Sequence, residues 1–582
     1  MTPIERNLSS LVRHPATLAQ RLATAKPSPR VHLHAGRSGL PSASMTGERR
    51  TAMHSRIDPE REAVRLVQSS NAAGFVLVFG LGLGYHLREL LRLHEVNLVL
   101  AIDYDLSVAR SLLEAADLSD LLDDRRLTVL MDPQPHQLET WIVEHWVPVL
   151  HGDLTSISLR GRVEQDPEPF AAARRTALGA ASAAADELAT QRAFGRTWMR
   201  NIALNVLATD DGRASDQQGS GQSTRVGSTR LRAADRKKRC VITAAGPSLD
   251  RDLELIRRNQ RHSIIIATDS SLPALLAADL QPDVVLAIDC QTVSYLHVLG
   301  AAAVGSLNSL LVADIGVHHA VVNRFAATRF VGGNHPFVRY LVRSGLSLPF
   351  LDTSEGSVTH AAIRLAAGMG LRNVEVFGAD FAYPRAAAYA RGTYIHSHFL
   401  LRHGRCEPLN SRLLRFVLDM PHVEAVLREG RPAYVTALMR RYQRRCQQLI
   451  DNLTAEPRQP QADPDLVELL SGAATDRTEH TEHRAGANGR NILEAYLEAL
   501  RALSPPRNPL QLHLNERAAT AKATTERNLW LTLLPLAAAC RRSRLPYGTA
   551  ELLEQTRQEA ITLLEPLLSA DHDSGRENTT VP

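Results

Sequence analysis

Two stretches of the chain repeat one pattern: a short apolar run rich in Val, Ile and Leu, then a segment with helical spacing of its apolar positions. Between residues 60 and 150 the runs are FVLVFG (75–80), NLVLAID (97–103) and RLTVLMD (126–132), with helix-like GYHLRELLRLH and SVARSLLEAA between them. From about 236 to 405 they are CVITAAG, SIIIATD, DVVLAID, SLLVAD, RFVGG and VEVFGAD. Runs with so little polar alternation suit strands covered on both faces, and strands that alternate with helices call for a parallel sheet. Residues 151–208 read as helical and end in FGRTWMRNIALNVLA. Residues 410–582 show helical periodicity and no convincing strand.

The expected fold class is therefore α/β: two Rossmann-like domains followed by an all-helical C-terminal domain. The expected divisions are an N-terminal segment (1–59), a first Rossmann-like domain with a helical extension (60–208), a flexible linker (209–235), a central α/β domain (236–408), a helical domain (409–570) and a disordered tail (571–582). The linker reading rests on TDDGRASDQQGSGQSTR, which has too few apolar residues to bury. Residues 454–491 are similar and are expected to be a disordered insertion carrying one short helical piece at LVELLSG.

Composition narrows the picture. A chain of 582 residues with 44% hydrophobic content is long enough for two or three cores. Its longest apolar runs fall short of a membrane span. Glu5, Arg6 and Arg13 interrupt the N-terminal region where a signal peptide needs an unbroken apolar stretch, so a cytoplasmic protein is expected. Five scattered cysteines without a CxxC pair point to neither a disulfide framework nor a zinc site. A net charge of +5, spread thinly and not interleaved with aromatics, suits an anionic ligand without implying nucleic acid.

The candidate chemistry lies at two glycine turns. In VLVFGLGLGYHL, Gly80, Gly82 and Gly84 separate a strand from a helix, and Asp103 ends the next strand. That is the layout of a mononucleotide half-fold, although the same glycines also serve close strand–helix packing. In VITAAGPSLD, Gly246, Pro247 and Ser248 end a strand with little bulk, so a phosphate can approach the main chain. Asp269, Ser270, Asp289 and Asp380 end other strands of the same block and would share the carboxyl edge of its sheet, where ligands of open α/β sheets bind. Each carboxylate could instead cap a helix.

Taken together, AAGPSLD, SSLPALL, LQPDVVLAID, EGSVTHAAIRLAAGMGLRNVEVFGADFAYP and YARGTY resemble the motility-associated factor (Maf) glycosyltransferases, whose central domain is shared with the 6-hydroxymethylpterin pyrophosphokinases. MHSRIDPEREA, GLGLGYHL and FGRTWMRNI resemble the N-terminal half of that family. The resemblance implies transfer of a nonulosonic, sialic-acid-like sugar from its CMP ester to Ser or Thr of flagellin, with no cofactor. The central domain also resembles sialyltransferases that bind CMP-sugars on a GPS turn. By that likeness Gly246, Pro247 and Ser248 match the turn, Tyr383 and Tyr389 match a tyrosine pair facing the leaving phosphate, and Gly356 and Ser357 match a small polar turn. A catalytic histidine is implied, with His398 favoured and His396 next; His403 lies in the same YIHSHFLLRHG segment. Ala245 stands where the sialyltransferases carry asparagine. The alternatives are ATP-dependent, Mg2+-requiring diphosphate transfer to a pterin, with Asp269, Asp289 and Asp380 as carboxylates, and a non-catalytic flagellar assembly factor. Whether the chain forms a homo-oligomer is open.

Overall fold

The computed structural model describes residues 1–582 apart from 15–16, 48–49, 211–238, 303–306, 429, 455–461, 472–487, 507–508, 513–520, 542–548 and 570–582. The tail at 571–582, most of the linker at 209–235 and most of the insertion at 454–491 lie outside the described residues. The short helix expected at LVELLSG is present as Pro464–Ser471. The chain divides into two compact units, residues 1–193 with 504–555, and residues 194–503 with 556–582. The helical C-terminal region thus supplies segments to both units, and a 44-residue helix, Pro167–Asp210, runs across the division.

In the first unit, the segment before residue 60 folds into a helix, Pro3–Ser10, and an antiparallel sheet of β1 (Val31–Ala35), β2 (Pro41–Thr46) and β3 (Arg50–Ala52). A four-stranded parallel sheet follows: β4 (Gly74–Phe79), β5 (Val96–Asp103), β6 (Leu127–Met131) and β7 (Leu154–Ser158), in spatial order β6-β5-β4-β7. Every residue of β4 is buried. That is why its apolar run shows no alternation.

The second unit is built on six parallel strands: β8 (Arg239–Thr243), β9 (Ser263–Thr268), β10 (Val284–Ala287), β11 (Leu307–Asp314), β12 (Phe325–Val331) and β13 (Val374–Phe377). Their order is β12-β11-β10-β9-β8-β13, so the direction of winding reverses between β8 and β13. Ile242, Ile264, Ile266, Val284, Leu286 and Val312 form one core with Ala362, Leu365 and Ala366 of the helix Val358–Gly368. Each such fully buried aliphatic side chain contributes about 1.5–3 kcal/mol.

One expectation is corrected here. Strands do occur beyond residue 410: β15 (Glu424–Arg428) and β16 (Arg431–Val435) form a hairpin, and β16 pairs with β14 (Tyr383–Pro384) of the central block. Gly430, at φ 71°, supplies the left-handed turn conformation between them. The α/β region therefore runs to residue 435, and the helical region starts with Ala437–Thr454.

Candidate functional site

The site is built where the six-stranded sheet reverses its winding. β8 ends in Ala244-Ala245-Gly246-Pro247-Ser248, and the helix Leu249–Asn259 begins at once. On the neighbouring strand end, Gly378 (φ 71°) turns the chain so tightly that a Cβ there would lie 2.1 Å from the Ala244 carbonyl. A Cβ on Gly246 would lie 2.2 Å from Asp380 Oδ2 and 2.4 Å from the Gly378 carbonyl. Only glycine fits at either place, because the two strand ends press backbone to backbone.

The turn holds an anion supplied by the chain itself. Ser248 N–H donates to Asp380 Oδ2 at 2.9 Å, at the first turn of the Leu249–Asn259 helix, while Gly246 N–H donates to the Gly378 carbonyl at 2.8 Å. Gly246, Ser248 and Asp380 are thus brought together, with the Asp380 carboxylate on the amide at the start of the helix. Arg428 of the hairpin donates to the Asp380 carbonyl at 2.8 Å and steadies the loop. Burial, together with the nearby Asp380 charge, pushes the Asp252 carboxyl upward against the pull of Arg251.

The next strand ends form a polar row. Asp269, after β9, is buried; it accepts from the Ser294 hydroxyl, and His297 Nδ1 lies 3.6 Å from its Oδ2. Ser270 N–H closes onto Asp269 Oδ1 at 2.7 Å, so Ser270 shapes the turn. Asp289, after β10, accepts from Gln291 N–H at 2.9 Å; burial raises its pKa, and the Asp269 charge adds to that. Asp314, the last residue of β11, accepts from Gly316 N–H at 2.8 Å, and burial pushes its pKa up to about 6. Two asparagines of FGRTWMRNIALN hold the loops of this row. Asn201 donates to the Cys290 and Gly316 carbonyls, and Asn205 to those of Ile315 and Val317, at 2.9–3.2 Å.

Asp314 and His297 were not among the expected site residues. Asp314 carries the same signal as Asp269 and Asp289, a carboxylate ending an apolar run. His297 carries none, since it sits mid-helix in Thr292–Ala302, and only the parallel order of β9 and β10 sets it beside Asp269.

The segment from Tyr383 to His403 closes over this edge. Ala390 N–H donates to the Ala245 carbonyl at 2.9 Å, and Arg391 N–H to Asp250 Oδ1 at 2.9 Å. The Tyr383 ring is buried in an apolar cluster with Ala388, Leu413 and Val417, against which Tyr389 also packs. Burial pushes the Tyr383 hydroxyl up to about 12 and raises that of Tyr389. His396 lies in the first turn of the helix Tyr394–Arg402; burial lowers its pKa, opposed by the charge of Asp250. His398 accepts from Arg402 at 3.0 Å through Nε2, and His403 is an exposed cap at the other end of that helix. Gly356 (φ 70°) and Ser357 precede the helix Val358–Gly368, where the Tyr442 hydroxyl donates to the Gly356 carbonyl at 3.1 Å.

The first glycine turn is filled differently. Leu81 N–H donates to Asp103 Oδ2 at 2.6 Å, and Arg162 Nε lies 2.9 Å from Asp103 Oδ1, both side chains being fully buried. Burial raises the Asp103 pKa, and Arg162 pulls it back. Cβ atoms on Gly80, Gly82 and Gly84 would meet Arg162, His54 and Leu118 at 3.1 Å or less. These glycines therefore admit the chain's own side chains, and Asp103 serves Arg162 and the turn amide.

Residues 223–386 match the family described as 6-hydroxymethylpterin diphosphokinase MptE-like. The chain as a whole has the fold of the Maf glycosyltransferase from Magnetospirillum magneticum AMB-1, at TM-score 0.56 and 15% identity, covering 98% of this chain and 97% of that one. It thus shares the fold of that glycosyltransferase and carries a central region similar to the MptE-like family. Among curated relatives, an uncharacterized protein of Treponema pallidum (strain Nichols) is 39% identical over 92 residues, which is 16% of this chain and 32% of the relative. A second from the same organism is 33% identical over 147 residues, 23% of this chain and 37% of the relative. The chain spans less than half the length of these relatives. No helix among the described residues is long and apolar enough to cross a membrane.

Proposed function

We propose that the protein is a glycosyltransferase that binds a nucleotide-activated sugar on the Gly246–Ser248 turn, and that the donor is the CMP ester of a nonulosonic acid. The observation that carries this reading is the Asp380 carboxylate on Ser248 N–H at the β8/β13 reversal. A place that already stabilises one anion accepts a phosphate by exchange, with little change in local charge. The whole-chain likeness to a Maf glycosyltransferase supports the reaction class.

In the transfer, the bond from the sugar's anomeric carbon to phosphate oxygen breaks, and the electron pair leaves with CMP. Ser248 N–H and the start of its helix stabilise the growing charge; a single such donor contributes about 3 kcal/mol. The acceptor hydroxyl, on Ser or Thr of flagellin, forms the new bond and gives its proton to a histidine. His297, whose Nδ1 lies 3.6 Å from Asp269 Oδ2, is the first candidate for this base, and His396 beside Asp250 is the second. The protein works in the cytoplasm, and no cofactor takes part in these steps.

The match to the pterin diphosphokinase family, and the carboxylates Asp269, Asp289 and Asp314 on adjacent strand ends, favour a second reading in which Mg2+ and ATP occupy this edge. Calorimetric titration of CMP and ATP, each with and without Mg2+, into wild type and Gly246→Ala decides between them. Metal-independent CMP binding that weakens in Gly246→Ala supports the glycosyltransferase. ATP binding that requires Mg2+ replaces it with the kinase, and absence of both leaves an assembly factor. In a transfer assay, His297→Ala is expected to lose about 100-fold in rate, more than His396→Ala or His398→Ala.

A further inference from the structure

The first unit contains a cavity of about 420 Å³ that the glycine turn does not explain. It opens at the carboxyl end of β7, on the reversal between β4 and β7. Its walls are Met53, Ala63, Leu66 and Leu159 on the apolar side, with His54, Glu62 and His86 on the polar side.

The protonation of the two imidazoles follows from their partners. His86 Nε2 lies 3.0 Å from the Gly80 carbonyl, which can only accept, so Nε2 carries the proton. Burial, helped by His54, lowers the pKa of His86 to about 3, so the ring is neutral and Nδ1 is a bare lone pair. His86 is 1% exposed, and its Nδ1 is buried without a hydrogen-bond partner among the described residues. A buried acceptor left unmade costs about 1–3 kcal/mol unless something donates to it. His54 Nε2 accepts from Leu83 N–H at 2.8 Å, so its Nδ1 carries the proton and faces Glu62 Oε2 at 3.8 Å. Glu62 also accepts from Ser55 N–H at 2.8 Å, and its side chain remains 45% exposed.

The polar wall therefore offers two acceptors, His86 Nδ1 and the Glu62 carboxylate; the His54 Nδ1 proton is turned toward Glu62, and Thr51 and Ser158 also line the cavity. The nearby cation, Arg160, is exposed and tied to Glu164 at 2.6 Å, and both carboxylates repel a phosphate. An uncharged molecule that brings hydroxyl donors and one apolar face satisfies this wall. We propose that the cavity binds the vicinal hydroxyls of a ribose or a hexose, with His86 Nδ1 and the Glu62 carboxylate as acceptors. The site is separate from the Gly246–Ser248 turn and is independent of what that turn binds.

The test is ligand-observed NMR and calorimetry on the full chain with adenosine, 2′-deoxyadenosine and methyl α-mannoside, each at up to ~10 mM, well above the ~1 mM affinity expected for a few hydrogen bonds and modest apolar contact. Binding of adenosine or of the mannoside, at least about tenfold weaker in Glu62→Gln, supports the proposal, and which of the two binds identifies ribose or hexose as the source of the diol. His86→Leu is expected to abolish binding. Because it also frees the Gly80 carbonyl, the half-exposed Glu62→Gln carries the decision. CMP titration stays unchanged in Glu62→Gln. No binding of either diol, equal binding of adenosine and its 2′-deoxy form without mannoside binding, or an affinity unaffected by Glu62→Gln overturns the proposal.

Discussion

The four-stranded and six-stranded sheets share one device: a glycine turn after the strand beside the reversal, with a backbone amide donating to an aspartate. They differ in what else holds that aspartate. Asp103 is fully buried against Arg162, whereas the Asp380 carboxylate rests on Ser248 N–H in a partly open position with Asp252 nearby. A turn closed by a buried ion pair has become structure. A turn closed by a carboxylate on a backbone amide stays exchangeable, because displacing that carboxylate breaks no buried ion pair.

The largest test of this contrast is Arg162→Ala. It strands a buried carboxylate, and the expected loss is about 3–5 kcal/mol of stability, a fall of roughly 10 °C in the melting of the first unit. Thermal unfolding checks it, and a loss under about 1 kcal/mol would show that the pair is no lock. Next comes Gly246→Ala, whose Cβ collides with the Gly378 carbonyl and Asp380. It is expected to cost about 1–3 kcal/mol and to abolish CMP binding, and wild-type affinity by calorimetry would refute the close approach.

A third test uses pH. The folded pKa of Asp314, at about 6, lies above the ordinary 3.8, so the unfolded chain releases this proton first as pH rises. Its contribution is fully present below about pH 4, declines through about 6 and is gone above. Asp314→Asn is expected to remove about 1–2 kcal/mol of that slope from urea titrations taken across this window, and an unchanged slope would assign it elsewhere. The smallest expected effect is that of Asp380→Asn: stability within about 1 kcal/mol of wild type and CMP affinity up to about tenfold tighter, because a competing charge is gone. Weaker CMP binding would instead make Asp380 a ligand of the nucleotide.

Much of this was legible in the chain. The Val- and Ile-rich runs marked the parallel strands because burial on both faces leaves no alternation, and carboxylates at their ends marked the sheet edge that carries the candidate site. What escaped depends on contacts distant in sequence. His297 has meaning only beside Asp269. The ring of Tyr383 finds its cluster among residues of the helix Leu409–Leu418. The N-terminal sheet hid because β2, PSASMT, buries small polar residues where apolar ones were sought. The strands Glu424–Arg428 and Arg431–Val435 were too short and too exposed to stand out against the helical periodicity around them.

The pairing of Tyr383 with Tyr434 also has a consequence for biosynthesis. A chain emerging from the ribosome exposes the whole six-stranded sheet by residue 377, yet the loop that lies against the Gly246 turn gains its β14–β16 pairing only once residue 435 has followed. Over the intervening stretch β14 is an open edge, and such edges recruit strands from other chains. A fragment ending near residue 408 would hold that state permanently. The hairpin therefore acts as the last stitch of the domain, and the cell's chaperones have their greatest opportunity in the interval before it is made.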